Sequence, residues 1–304
     1  MGDLDLATGP LPVELICAPW SIGLRPTAAG AEPGTWRAPH VLRGAGLGQR
    51  LEAVAVTELS RPPYQFEAQP GTRVRNGVTL RQHSLLLADA VGDAVAAGRM
   101  PVVVGGDCSV LLGSLSGARR HHQIALVHID GHPDFTHPGH PDFSGLGAAA
   151  GMDLALATGR GELLLTRWPG VDGPLVGDPS VVQIGDRTGQ AVPTDLLVIG
   201  IHELLAAGVE ATAQQAVGHL KAEQPIWVHV DLDVVDMAHL PAVDSPGTPG
   251  VTFEQLALLL SRLLESRRIV GVDVTIYDPD LDPDGAYTDA IVDCLAAGLQ
   301  GRPA

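Results

Sequence analysis

The sequence predicts an α/β fold, a three-layer α/β/α sandwich in which helices cover both faces of a mainly parallel, roughly eight-stranded sheet. Eight short apolar runs recur along the chain, and continuous runs rich in valine, isoleucine and leucine are typical of buried parallel strands. Longer segments with helical spacing lie between them, so strands and helices alternate. No linker, composition break or internal repeat interrupts this alternation, which predicts a single domain over residues 1–304.

Apolar patterning also places the individual elements. The runs predicted as strands cover residues 13–19, 51–56, 100–106, 124–130, 181–185, 195–201, 226–233 and 268–275. The clearest helices are predicted at residues 79–98, 211–222, 252–266 and 286–298. Long loops follow two of the strands, at residues 133–148 and 236–250. Because ligands in open α/β sheets bind beyond the carboxyl ends of strands, we expect the functional site at these loops.

Composition excludes several classes of function. The formal net charge of -16 argues against nucleic acid or an anionic membrane as a partner. The cysteines are odd in number and far apart, which favours a reducing, cytoplasmic location over a disulfide framework. The first residues lack the apolar core of a signal peptide, and no apolar run approaches the length that a membrane span needs.

Acidic residues and a histidine follow two of the predicted strands. Asp130, His132 and Asp134 come directly after one apolar run, and Asp231 and Asp233 end another. Alternate residues of a strand point to the same face, so Asp231 and Asp233 project together. Converging carboxylates without a lysine or arginine beside them repel one another, and a divalent cation removes that cost. Oxygen-rich ligands with one or two nitrogens suit Mn²⁺, with Zn²⁺, Fe²⁺, Ni²⁺ or Co²⁺ as variants; the alternative is that these acids only cap turns at strand ends.

Several short motifs, taken in their order, resemble those of the arginase/agmatinase (ureohydrolase) family. "GGDCS" resembles the family's G-G-D-H-S, "DGHPD" its D-A-H-x-D and "HVDLDVVD" its D-x-D-x-x-D. "SPGTPGVT" resembles the glycine-rich loop that follows, and "GTWRAPHVLRGAGL" is similar to a segment near the family's N-terminus. The resemblance covers most of the chain and implies an α/β/α sandwich that is typically oligomeric.

The resemblance also implies a chemistry, the hydrolysis of a guanidino C–N bond at a cluster of two divalent metal ions. Asp130 and Asp231 would bridge the metals. A hydroxide between the two cations, acidified by both, would be the nucleophile. Asp134 would orient it, which makes Asp134 the candidate catalytic residue.

The remaining ligands implied by the resemblance include one departure from the family. Asp134 and the residue at position 108 would complete one metal, and His132 and Asp233 the other. Cys108 stands where the family usually has a histidine. A cysteine binds metal as a soft thiolate, which shifts the preference from Mn²⁺ toward Zn²⁺ or Fe²⁺. The alternative is a buried, inert cysteine that fills the space of the histidine.

A second departure concerns proton transfer. The family commonly uses a histidine in the loop after the D-x-H-x-D motif, and the best alignment puts Ala150 there. His137 and His140 lie earlier in the same loop and are candidates to replace it. The other interpretation is that these two are simply solvated loop histidines.

A third departure lies in "GVDVTIYDP". The family carries here a glutamate that pairs with the guanidinium, and in this register the position is Ile276. An isoleucine cannot pair with a cation. Asp278 lies two residues on and would face the same way if regular strand geometry continued. Asp273 matches a family acid and is a candidate to orient the ligands.

These observations leave three hypotheses. The first is a metal-dependent hydrolase of a C–N bond in a guanidino-, ureido- or amide-like small molecule, rather than a standard arginase, with two divalent metals of the Mn²⁺ type. The second is a catalytically inactive homologue with a structural or partner-binding role. An ordinary arginase or agmatinase ranks last, because both the histidine and the glutamate are replaced. We expect a homo-oligomer that binds a small molecule.

Overall fold

The fold is built on one fully parallel sheet of eight strands. The computed structural model describes residues 11–140, 143–192 and 195–300. The strands are β1 (Val13–Ala18), β2 (Ala55–Glu58), β3 (Met100–Gly105), β4 (Ala125–Ile129), β5 (Val181–Ile184), β6 (Leu197–Ile199), β7 (Ile226–Asp231) and β8 (Ile269–Thr275). Their order across the sheet is β2-β1-β3-β8-β7-β4-β5-β6. The eight predicted strands are therefore confirmed.

Helices form a layer on each face of this sheet. They are α1 (Ala38–Gly44), α2 (Leu47–Arg50), α3 (Gly77–Ala96), α4 (Val110–Ala118), α5 (Asp153–Ala157), α6 (Leu163–Thr166), α7 (Ile201–Ala207), α8 (Val209–His219), α9 (Phe253–Leu264) and α10 (Thr288–Gln300). Helices α3 to α6 bury their apolar side chains against one face, and the other six against the opposite face. This arrangement confirms the predicted three-layer sandwich.

The boundaries follow local chemistry. Helix α9 begins with a capping box, in which the Thr252 hydroxyl accepts from the Gln255 backbone N–H and the Gln255 side chain accepts from the Thr252 N–H. Strand β2 starts later than predicted, because Leu51 closes the preceding helical turn with a backbone hydrogen bond to Leu47 of 2.9 Å. Helix α4 was not predicted by apolar periodicity, because all its residues are buried and an all-round buried helix has no polar face.

The strand order brings the chemically active loops together. Strands β3, β8, β7 and β4 are consecutive neighbours at the middle of the sheet. Since all are parallel, their carboxyl ends lie at one edge. Asp130 follows β4 and Asp231 ends β7, whose residues pair in register with those of β4. The two carboxylates therefore meet beyond the same edge, close to Cys108 after β3.

Among the described residues, none of the helices is both long and apolar enough to cross a membrane.

The turn after β3 requires a glycine at position 106. A Cβ added there would lie 1.6 Å from the Trp20 carbonyl oxygen. The Gly106 carbonyl accepts a 2.7 Å hydrogen bond from the Ile276 N–H. The end of strand β3 is thus held against Trp20, which follows β1, and against Ile276, which follows β8. These backbone contacts fix the position of Cys108, two residues after Gly106.

A Gly106→Ala substitution should destabilise the fold, because the rigid carbonyl of Trp20 would have to move. We expect a cost of about 3 kcal/mol in the free energy of unfolding, at the upper end of overpacking effects. Gly218→Ala is the matched control, since a Cβ at this helical position meets nothing within 4 Å. Urea unfolding of both variants tests this, and equal midpoints would contradict the tight approach.

Candidate metal centre and active site

A cavity of about 200 Å³ opens at the carboxyl edge of the central strands. Of the residues predicted for the site, its lining includes Cys108, His132, Asp134, Asp231, Asp233 and Ile276. Asp130 lies beneath them with no exposed surface. All six predicted ligands are therefore at or directly under one cavity.

His132 is held between two carboxylates. Its Nδ1 lies 2.8 Å from Asp233 Oδ2 and 3.6 Å from Asp130 Oδ1. The Gly131 N–H donates to Asp233 Oδ1 at 3.0 Å, and the His132 N–H donates to Asp130 Oδ1 at 2.6 Å. The three residues offer ligand atoms that all lie within 4.8 Å of one another. This is a spacing at which one cation could bind all three.

Cys108 and Asp231 form the other half of the cluster. The Cys108 thiol donates to Asp231 Oδ2 at 2.8 Å, and its Sγ lies 3.1 Å from Thr275 Oγ1. Asp231 Oδ1 accepts from the Asp233 N–H at 2.7 Å. Burial first, and then the nearby Asp231 carboxylate, raise the pKa of Cys108 well above its usual range. Without a cation, position 108 is a neutral thiol beside an acid.

The electrostatics of the cluster fit a cation. Burial, followed by the neighbouring carboxylates, raises the pKa of Asp134 and of Asp231 well above the usual range. Hydrogen bonds to Asp130 and Asp233 raise the pKa of His132 to about 11. Among the described residues, the ion-pair partners of Asp130 and Asp233 are histidines rather than lysines or arginines. Such a site gains by exchanging its protons for a divalent ion.

Backbone strain is concentrated around the cavity. Asp134, Ser245 and Ile276 all line it and all have positive φ, of 44°, 56° and 77°. For a β-branched residue such as Ile276 this conformation is a genuine outlier. Strain of this kind persists only where the surroundings enforce it, and it is common at functional sites.

Ile276 also determines where Asp278 points. Strand β8 ends at Thr275, and the turn at Ile276 breaks the alternation of side chains. Asp278 accepts from the N–H of Gly34 at 3.1 Å and of Asp280 at 2.9 Å. It lines a second, outer cavity of about 580 Å³ rather than the inner one. At the inner cavity, this segment therefore presents the apolar side chain of Ile276.

The remaining predicted residues lie outside the inner cavity lining. His137 Nδ1 is 3.1 Å from the Pro138 carbonyl oxygen, and its ring contacts those of Phe135 and His140. Among the described residues that line the cavity, His132 is the one histidine, and Ala150 is buried in the wall. The role predicted for His137 and His140 stays a prediction.

Arg187 is a functional-site residue that the sequence analysis missed. Its side chain donates to the Asp233 carbonyl oxygen and, through Nε at 3.2 Å, to that of Pro249. A Cβ on Gly131 would lie 2.4 Å from Arg187 Cζ. Gly131 occupies the position of the alanine in the D-A-H-x-D motif, so the exchange leaves room for this guanidinium. Arg187 thereby contacts three loops: the one after β4, the one after β7 and the one that contains Pro249.

A polar cluster beneath the cavity was also missed. His128 and His229, on β4 and β7, and Asp153, the first residue of α5, are fully buried. Asp273 accepts from His229 Nδ1 and from Trp227 Nε1. The sequence contains a signal for this cluster. His128 and His229 each precede a predicted ligand, Asp130 or Asp231, by two residues and therefore lie on the same face of the strand. The predicted orienting residue Asp273 thus acts on His229, which was not among the predicted ligands.

The chain belongs to the arginase family. The model described as "Arginase family" matches residues 12–299. The arginase of Bacillus caldovelox is 28% identical over 286 residues, covering 89% of this chain and 92% of that protein.

Solved structures agree with this assignment. Arginase from Bacillus cereus superposes with a TM-score of 0.81 at 24% identity, covering 95% of this chain and 98% of that one. Proclavaminate amidino hydrolase from Streptomyces clavuligerus gives a TM-score of 0.70 at 22% identity, with coverages of 98% and 93%. At these identities the superpositions show a shared fold.

Cobalt loading tests whether Cys108 is a ligand. If the thiolate binds a cation, the Co²⁺-loaded protein should show near-ultraviolet sulfur-to-metal charge-transfer absorption, which Cys108→Ala should abolish. Cys294→Ala is the matched control, because Cys294 is also buried but donates to the Phe253 carbonyl. Absorption that survives in Cys108→Ala, or is absent from the parent, would support an inert cysteine.

Proposed function

We propose that the protein is a metal-dependent hydrolase of a C–N bond in a guanidino-, ureido- or amide-like small molecule, rather than a standard arginase. One observation carries the proposal: buried carboxylates, an imidazole and a thiol converge at the floor of a cavity, and among the described residues the ion-pair partners of Asp130 and Asp233 are histidines. Membership of the arginase family, a family of C–N hydrolases, supports the reaction class.

Two divalent cations of the Mn²⁺ type are proposed as cofactors, with Zn²⁺ or Fe²⁺ favoured at a site that includes Cys108. The proposed ligands are Cys108, Asp130, His132, Asp134, Asp231 and Asp233. Bound there, the cations would acidify a water molecule and polarise the carbon that it attacks. Ligand atoms of Asp130, His132 and Asp233 lie within 4.8 Å of one another, a spacing that one of these cations would fit.

The chain's own groups have distinct tasks in this reaction. Asp134, on a strained backbone at the cavity wall, orients the attacking water through its carboxylate. Gly131 and Arg187 hold Asp233 by its side chain and by its carbonyl oxygen, respectively. Leu24, Phe135 and Ile276 supply apolar surface to the cavity and exclude bulk water from the reacting carbon.

The lining argues for a substrate other than arginine. Beyond the proposed metal ligands, the inner cavity presents neutral groups, among them Thr188, Gln190 and Ile276. The remaining acid, Asp244, is exposed and borders both cavities. A fully charged guanidinium would meet no carboxylate at Ile276, whereas an amide, a ureide or a modified guanidine requires none.

The outer cavity provides room for the rest of the substrate. It shares Leu24, Thr136, Asp244 and Ser245 with the inner one, so the two cavities are adjacent. Arg25 and Asp278 both line it. A small molecule with a polar or charged tail therefore suits this arrangement, with its scissile group at the metals.

The second candidate, a non-catalytic homologue, is favoured by a single feature. Ala150 is buried in the cavity wall at the position aligned with a proton-transferring histidine. Metal analysis of protein purified without added metal, followed by a product-release assay across guanidines, ureides and amides, separates the candidates. About two or more metals per chain, with turnover of one class, support the hydrolase. A single tight metal and no turnover across the panel would contradict it.

An Ile276→Glu substitution should shift preference toward guanidinium substrates. Removing one partner of a buried charge pair costs about 3–5 kcal/mol. Recovering a modest share of that should raise kcat/KM for a guanidino compound about tenfold or more relative to its neutral ureide. The substitution also replaces a β-branched side chain at a position with positive φ. Steady-state kinetics on both substrates provide the measurement.

Ile276→Gln is the control for that experiment, because it changes shape and strain in the same way but adds no charge. It should leave the ratio of the two substrates unchanged. An equal shift in both variants, or none in Ile276→Glu, would mean that position 276 does not contact the reacting group.

A further inference from the structure

A second cluster of potential ligands lies beneath the candidate metal centre, on the face of the sheet covered by α3 to α6. His128 and His229 are register partners on the neighbouring strands β4 and β7. Their rings stack with centroids 4.7 Å apart and planes 21° from parallel. Asp153 faces both rings from the helical layer, and Asp130 closes the cluster from the end of β4. All four residues have an exposed fraction of 0%.

Several atoms in this cluster lack partners. Among the described residues, His229 Nε2, Asp153 Oδ2 and Asp130 Oδ2 are fully buried and make no hydrogen bond. Burying a polar atom without a partner costs free energy, and burying a carboxylate costs far more. Three such atoms in one buried cluster are therefore expected to share a ligand, and the carboxylate charges and the lone pairs favour a cation.

The distances fit a small tetrahedral cation. His128 Nε2 lies 3.3 Å from Asp153 Oδ1 and 3.8 Å from Asp130 Oδ2. His229 Nε2 lies 3.6 Å from Asp153 Oδ2. Zinc sites with bonds of about 2.0–2.1 Å hold neighbouring ligand atoms roughly 3.3–3.4 Å apart. The three separations lie within about 0.5 Å of that spacing, and ligand atoms of His128, Asp130 and His229 all lie within 4.8 Å of one another.

The orientation of His229 is already fixed for this purpose. Its Nδ1–H donates to Asp273, which also accepts from Trp227 Nε1. That bond leaves the Nε2 lone pair facing the cluster. A histidine that binds metal through one nitrogen while donating the other N–H to a carboxylate is the usual arrangement around a protein-bound metal.

We propose that His128, Asp153 and His229, together with Asp130 Oδ2, bind a further divalent cation of the Zn²⁺ type, distinct from the pair in the proposed active site. Asp130 borders both sites, since its Oδ1 faces His132 and its Oδ2 faces His128. The ion joins two strands of the sheet to α5. It thereby anchors the start of α5, which follows the loop that carries Asp134.

Zinc counting on the full chain tests this proposal. The protein is purified with Zn²⁺ present, dialysed and analysed by elemental mass spectrometry. Asp153→Asn and His229→Gln should each lower the content by about one zinc per chain relative to the parent. Asp282→Asn, a buried aspartate that accepts from Tyr277 OH at 2.7 Å, should leave it unchanged. Circular dichroism of each variant verifies its fold, and either ligand variant alone suffices for the test.

Cobalt loading separates this site from the proposed active site. Four-coordinate Co²⁺ absorbs visible light much more strongly than cobalt of higher coordination. The visible band should persist in Asp233→Asn, which removes an active-site ligand, and disappear in Asp153→Asn. Unchanged zinc content in both Asp153→Asn and His229→Gln would overturn the proposal and leave a hydrogen-bonded cluster without metal. A zinc that persists in Asp233→Asn but is lost in Asp153→Asn would support the proposal even if no hydrolase activity were found.

Discussion

The mutual repulsion of buried carboxylates at one edge of a parallel sheet is the constraint on which the rest of this structure depends. Parallel strands end together, so acids that follow β4 and β7 meet in a space of low dielectric. Burial first, and then this repulsion, raises the pKa of Asp134 and of Asp231 well above the usual range. The cluster can be kept either by protonation or by bound cations, and only the second gives a site that activates water.

The surrounding structure holds these acids in place despite the repulsion. Gly106 lets strand β3 approach Trp20 so closely that Cys108 reaches Asp231. Gly131 makes room for Arg187, whose guanidinium binds the Asp233 carbonyl. These contacts fix the backbone on which the ligands sit, rather than neutralising their charge. A shift in any of these segments would change the separation of the carboxylates.

The sequence was sufficient for the fold and for the convergence of Asp130, His132, Asp134, Asp231 and Asp233, because both depend on local patterns. Cys108 was added through its match to a family motif. Apolar runs locate strands. Residues immediately after neighbouring parallel strands lie close together, independently of the conformation of the loops that follow. It was insufficient where the answer depends on tertiary contacts. The turn of Asp278 away from the inner cavity follows from the positive φ of Ile276. Arg187 reaches the site because Gly131 and Gly247 leave space for its guanidinium. His128, Asp153 and His229 become a cluster only when strand register and the helical layer are known.

The measurement that tests the account most directly is a crystal structure of the protein grown with Mn²⁺, with anomalous scattering used to locate the ions. We expect two manganese peaks at the cavity, one shared by His132, Asp233 and the bridging acids, the other by Asp134, Cys108 and the same acids. The Asp130 and Asp231 carboxylates should lie between the peaks. A map without such peaks, in which these carboxylates hydrogen-bond only to one another and to water, would contradict the claim that cations stabilise the cluster.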